Sequence, residues 1–123
     1  MIGKRKKLIG LVGAISVLAG QFVMAPTLSA EEMDAVTKGK ELSFDRKKGN
    51  CLACHNISGG NAPGNIAPAL LAMQSRFPNK ADLRAQIWDA TVKNPESPMP
   101  PFGKHGALSE SEVDLITEFI WTL

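Results

Sequence analysis

Both cysteines of this 123-residue chain sit in one tetrapeptide, Cys51-Leu52-Ala53-Cys54, and His55 follows directly. Placing every thiol in one spot, beside an imidazole, restricts the fold more than any other feature of the sequence. No disulfide can staple distant segments, because a bridge between Cys51 and Cys54 closes too short a loop to constrain much of the chain. Three chemistries use such a cluster: a redox disulfide, a zinc site, or covalent attachment of haem through two thioethers.

The chain begins with the basic run Lys4-Arg5-Lys6-Lys7, continues with the apolar run Leu8 to Ala25, and then reaches the small residues of "PTLSA". Basic, apolar, then small is the order of a secretory signal peptide. The expected division is a leader over residues 1–30, cleaved after Ala30, and one domain over residues 31–123. The leader holds four of the 14 basic residues and none of the 12 acidic ones, so its removal takes the formal charge from +2 to −2. The basicity of the whole chain therefore belongs to the leader, and the domain carries no nucleic-acid footprint. At 93 residues it buries a modest core, and domains of that size often need a staple.

Within the domain, "MDAVTKGKELSFDRKK" from Met33 to Lys48 reads as a helix, with Val36, Leu42 and Phe44 towards the core and Gly49-Asn50 as the stop. A loop rich in Gly, Asn and Pro runs from Asn56 to Pro68, and the apolar "ALLAMQSRF" after it reads as a short helix. Asn79 caps a helix over "KADLRAQIWDATVKN", whose apolar stripe is Leu83, Ile87 and Ala90. Four prolines between Pro95 and Pro101 exclude both helix and central strand. Ser109 and Glu112 form a capping box for a last helix, with Val113, Ile116, Phe119, Ile120 and Leu123 at helical spacing. No segment alternates as a strand does, so the expected class is all-α. Loops this long in so small a domain need a surface to pack on.

That pattern discriminates between the three chemistries. A thioredoxin-type pair follows a strand in an α/β unit, and here the pair follows a helix. A structural zinc site takes four ligands; the supply is Cys51, Cys54, His55 and His105, and adjacent Cys54 and His55 cannot readily reach one tetrahedral ion. Haem attachment uses all three residues: Cys51 and Cys54 form the thioethers, and His55 is the proximal iron ligand. The macrocycle also supplies the missing staple.

Met33, Met73, Met99 and His105 are the candidates for the second axial position. Met73, inside "LLAMQ", reads as core filler, and His105, between Lys104 and Gly106, as a solvent-exposed ring. Met99 lies in "SPMPPFG", where the following proline biases it to extended backbone and a stiff loop can present one thioether at low entropic cost. His/Met ligation saturates iron and raises its potential, which makes electron transfer the default role. A proximal histidine normally donates its other N–H to an acceptor, and the Pro68 carbonyl is the candidate.

Taken together, "CLACH", "APAL", the Met99 loop and the C-terminal helix resemble class I cytochromes c, with Ala67 where that family usually has Gly. The resemblance implies one haem c, a Pro68 carbonyl bonded to His55, and Phe119 packed on the N-terminal helix. The longer stretches "RFPNKADLRAQIWDATVKNP" and "MPPFGKHGALSESEVDLITEFIWTL" resemble the SoxX family, the monohaem subunits of SoxAX cytochromes. This implies a periplasmic heterodimer with SoxA that couples thiosulfate oxidatively to a cysteine of the SoxYZ carrier, as an L-cysteine S-thiosulfotransferase. The sulfur chemistry would lie on SoxA, with no catalytic residue in this chain, which would pass electrons to a downstream cytochrome. The alternative is a free-standing electron shuttle. Arg46-Lys47-Lys48 reads as a solvated helix end or a docking patch, and Trp88 and Trp121 as core packing or an interface.

Overall fold

A computed structural model describes residues 29–123; the predicted leader, up to residue 28, lies outside them. The described residues form α1 (Ala30–Phe44), a 3-10 turn (Cys51–Ala53), α2 (Met73–Arg76), α3 (Lys80–Trp88), a second 3-10 turn (Ala90–Val92) and α4 (Glu110–Trp121). No strand occurs among them, as the sequence pattern requires. None of these helices is long and apolar enough to cross a membrane.

α1 begins three residues before its expected start, because Ser29 caps it in a reciprocal box with Glu32. The cleavage point expected after Ala30 falls within this first turn, so a cut there removes the cap. The helix also stops at Phe44 rather than Lys48. Asp45 is extended, its carboxylate accepts the Lys47 N–H at 2.8 Å, and its carbonyl accepts from Lys48 and Asn50. A short polar side chain that captures nearby backbone N–H groups competes with the helix, and here it wins.

The middle helices are shorter than their apolar patterns suggest. The segment from Ala69 to Phe77 is helical only over Met73–Arg76, since the Leu70 N–H is bonded to the Asn56 carbonyl and the Ala69 carbonyl accepts from Arg76. α3 ends at Trp88 rather than Asn94, because Asp89 swings to φ −153° and ψ 93°. Leu83, Ile87 and Ala90 are nevertheless buried, at 2%, 6% and 0% exposure. The stripe was right and its length was not.

α4 contributes more of the core than any other element. Val113, Ile116, Phe119 and Ile120 are all buried, each contributing about 1.5–3 kcal/mol relative to an exposed side chain. Thr117 is buried among them, its hydroxyl satisfied by the Val113 carbonyl at 2.7 Å. Ile57 and Leu108, both in loops, complete the core and have no periodic signal in the sequence. Two ion pairs, Lys80 with Glu118 and Arg84 with Asp114, bridge α3 and α4 at the surface. Exposed pairs of this kind add about 0–1 kcal/mol each.

α1 crosses α4 at Gly39. A Cβ there would lie 1.9 Å from the Leu115 carbonyl oxygen, so the two backbones approach closer than any side chain permits. Beside the crossing, Phe44 meets Phe119 edge to face, with ring centroids 5.8 Å apart and planes at 87°. The packing of Phe119 on the N-terminal helix is as the family resemblance implies. Val36, Leu42 and Phe44 are half-buried against the same core. The obstructing atom at Gly39 is backbone and cannot rotate away. Gly39→Ala is therefore expected to destabilise the holoprotein by about 1–3 kcal/mol, read as a lower midpoint in guanidinium unfolding. An unchanged midpoint would contradict the close crossing.

Candidate cofactor site

The cysteine motif follows α1 through a tight return. Gly49 donates to the Leu42 carbonyl, Asn50 adopts left-handed backbone at φ 46°, and Cys51–Ala53 makes one 3-10 turn. The Cys54 and His55 N–H groups both turn back to the Cys51 carbonyl. Cys51 and Cys54 thus lie on one turn, three residues apart, half-buried and without a disulfide.

The Asn56–Pro68 loop then folds alongside the motif. Gly64 donates to the Leu52 carbonyl at 2.7 Å, Ala67 to Cys54 at 3.1 Å, and Leu70 to Asn56 at 2.9 Å. These bonds bring the Pro68 carbonyl oxygen to 2.6 Å from Nδ1 of His55. A carbonyl only accepts, so Nδ1 holds the proton and donates. The lone pair of Nε2 is left free and the ring is held in one orientation.

The geometry does not suit thiol redox chemistry. Burial pushes the Cys51 thiol up to about 11, against a smaller lowering from a hydrogen bond to Ser43. A reactive thiol needs the opposite shift. Nor, among the described residues, do three or more His, Cys, Asp or Glu side chains gather as a metal-ion site would require.

The donor set and its surroundings do fit a haem. Cys51, Leu52, Leu70, Met99 and Phe102 are half-buried apolar side chains at the edge of the core, which covers only part of each. Ile66 and Leu71, on the segment that carries Pro68, remain 79% and 59% exposed. Apolar surface left over beside two free thiols and an oriented imidazole suits a large apolar ring. Met99 is half-buried, its N–H bonded to the Ser97 hydroxyl at 3.3 Å. Of the other candidates, Met73 is 2% exposed in the core, Met33 is 60% exposed on α1, and His105 is exposed.

The cytochrome c family model matches residues 36–123. This chain belongs to the cytochrome c family. It is an all-α cytochrome c electron-transfer domain, and its cofactor is covalently bound haem c, with Cys51 and Cys54 at the spacing of the attachment motif. Among solved structures it is similar to a chain of the crystal structure of SoxXA from P. pantotrophus. The two are 25% identical with a TM-score of 0.63, over 70% of this chain and 79% of that one. No curated protein matches the sequence of this cytochrome.

The structure also places features that the sequence left open. Trp88 and Trp121 are half-buried against the core, and the Trp121 carbonyl accepts from Gln74. Of the basic run, Lys48 is paired with Glu112 on α4, while Arg46 and Lys47 are exposed. Sequence reasoning missed the backbone bonds from Gly64 and Ala67 to the motif and from Leu70 to Asn56, for which no residue-type signal exists.

If both thiols carry the haem, pigment will stay with the polypeptide through acid-acetone extraction. Cys51→Ser or Cys54→Ser will leave at most one thioether, visible as a shifted reduced α-band in the pyridine haemochrome. Haem released from the parent protein by acid acetone would contradict double attachment.

Proposed function

We propose that this cytochrome is the electron-accepting subunit of a SoxAX-type complex, with the sulfur chemistry on a SoxA-like partner. The observation that carries the reading is the similarity to SoxXA over 70% of the chain. The sequence is consistent with this division of labour, because its only two cysteines lie in the attachment motif and no thiol remains to hold sulfur.

Cys51 and Cys54 would tether the haem, His55, held by Pro68, would bind its iron through Nε2, and Met99 would supply a thioether. When bound, the haem supplies one-electron redox chemistry. With His55 and Met99 both bound, the iron would have no site for a competing ligand, which favours outer-sphere electron transfer over chemistry at the iron. The Pro68 carbonyl fixes the His55 tautomer and strengthens its donation.

Joining thiosulfate to a SoxYZ cysteine forms one S–S bond and releases two electrons and one proton. A monohaem chain takes one electron at a time, so two successive transfers are needed, each passed on to a downstream cytochrome. A location in the periplasm, reached through the leader over residues 1–30, fits both the haem attachment and the substrate.

Two measurements test the proposal. Met99→Ala is expected to abolish the near-infrared band that marks methionine bound to ferric iron and to open the iron to added ligands; an identical band in parent and variant would remove Met99 from the site. Purified from its native host, the protein is expected to emerge in a stable one-to-one complex with a second c-type cytochrome. A monomer that exchanges electrons with unrelated cytochromes would instead make it a free shuttle.

A further inference from the structure

The loop that carries Met99 is closed at its base by a compact set of bonds. Beyond Trp88 the helix ladder breaks, and the Trp88 carbonyl accepts instead from the Gly103 and Lys104 N–H groups, at 3.1 and 3.3 Å. Gly103 lies flat on the Trp88 ring, where a Cβ would come within 2.0 Å of Cε3. Next to these bonds Asp89 is 6% exposed, and both its carboxylate oxygens are engaged. Oδ1 accepts from the Thr91 N–H and hydroxyl, at 3.0 and 2.5 Å, and Oδ2 pairs with Lys104 Nζ at 2.8 Å. Residues 89 and 104 are the two ends of a sixteen-residue excursion that leaves the core and returns to it at one point, the form of an Ω-loop.

Inside the loop, Pro95, Pro98, Pro100 and Pro101 fix the backbone, and the main-chain bonds that reach it from beyond Lys104, from His105 to the Pro101 carbonyl and from Leu108 to the Phe102 carbonyl, lie beside the neck. The Met99 N–H reaches only the Ser97 hydroxyl, within the same loop. A stiff loop with a pinned base moves as a unit about that base, so the position of Met99 is decided at the neck.

We infer that the Asp89–Lys104 pair is a positioning element for Met99: it holds the loop base shut and so sets how often the thioether leaves the iron. The inference rests on Met99 being the second axial ligand. The side-chain bonds of Asp89 run to Thr91 and Lys104 and not to Met99 or the motif, so the pair acts through the loop. The two backbone bonds to Trp88 remain when the ion pair is removed, so its loss loosens the base and leaves the fold in place.

An added ligand binds the ferric iron only in molecules whose loop is open, and its apparent affinity scales with that fraction. Imidazole titration of the ferric holoprotein, followed by the near-infrared methionine band, reads the fraction directly. Asp89→Asn and Lys104→Met are each expected to tighten imidazole binding about tenfold, the scale of one lost charge-assisted bond. The double variant should be no tighter than either single one, since both remove the same pair. Lys80→Met, which breaks the Lys80–Glu118 pair at the other end of α3, should leave imidazole affinity at the parent value.

The inference is overturned if the neck variants lower the guanidinium midpoint while binding imidazole as the parent does; the pair is then a structural tie only. Lys104 is half exposed, so Lys104→Met carries the test even if Asp89→Asn fails to mature. Retention of the band in Met99→Ala would overturn the axial assignment itself, an outcome that the imidazole series cannot imitate.

Discussion

The contact between α1 and α4 at Gly39 is the constraint on which the other parts of this domain rest. Only a missing side chain lets the Leu115 carbonyl occupy the space where a Cβ would stand. The approach sets Phe44 against Phe119 and buries Ser43, whose hydroxyl turns back to the Gly39 carbonyl at 2.7 Å. It also fixes the end of α1, from which the chain enters the cysteine turn after a six-residue return. Were the helices further apart, the motif would lose its fixed position over the edge of the core.

From that crossing the segments that carry His55 and Met99 are held by different means. On the His55 side the backbone does the work: two main-chain bonds tie the Asn56–Pro68 loop to the motif, a third joins Leu70 to Asn56, and a further contact aims the imidazole. On the Met99 side the loop is stiff internally and fastened at its base, by the Trp88 carbonyl and by Asp89. Both devices hold a side chain still without adding to a hydrophobic core that a domain of this size cannot enlarge. Electron transfer benefits from such rigidity, since the site then reorganises little when its charge changes.

The exposed apolar side chains follow from the same economy. Leu70, Leu52 and Phe102 are only half covered by protein, and Ile66 and Leu71 hardly at all. A core this small cannot cover every apolar residue of the long loops. The cofactor takes part of that role, and in this family it is bonded to the chain and cannot be lost by dissociation.

Much of this was legible in the residues. The Ser109–Glu112 capping box, the Asn79 cap and the helical stripes foretold four helical regions and no strand, because apolar spacing reports which face must leave water whatever the neighbours are. The cysteine pair with its histidine announced the cofactor, because two thiols at that spacing beside an imidazole suit thioether attachment and little else. Helix ends were misjudged where a single aspartate intervened: Asp45 and Asp89 each capture nearby N–H groups and end a helix before its apolar pattern does. The sequence by itself determined the class of the fold and the chemistry of the motif. Only the tertiary structure decided how close α1 comes to α4, which backbone bonds bring the Pro68 carbonyl expected from the sequence up to His55, and what closes the Met99 loop. Those outcomes depend on groups distant in sequence, chiefly backbone atoms, which every residue carries alike and no residue type reveals.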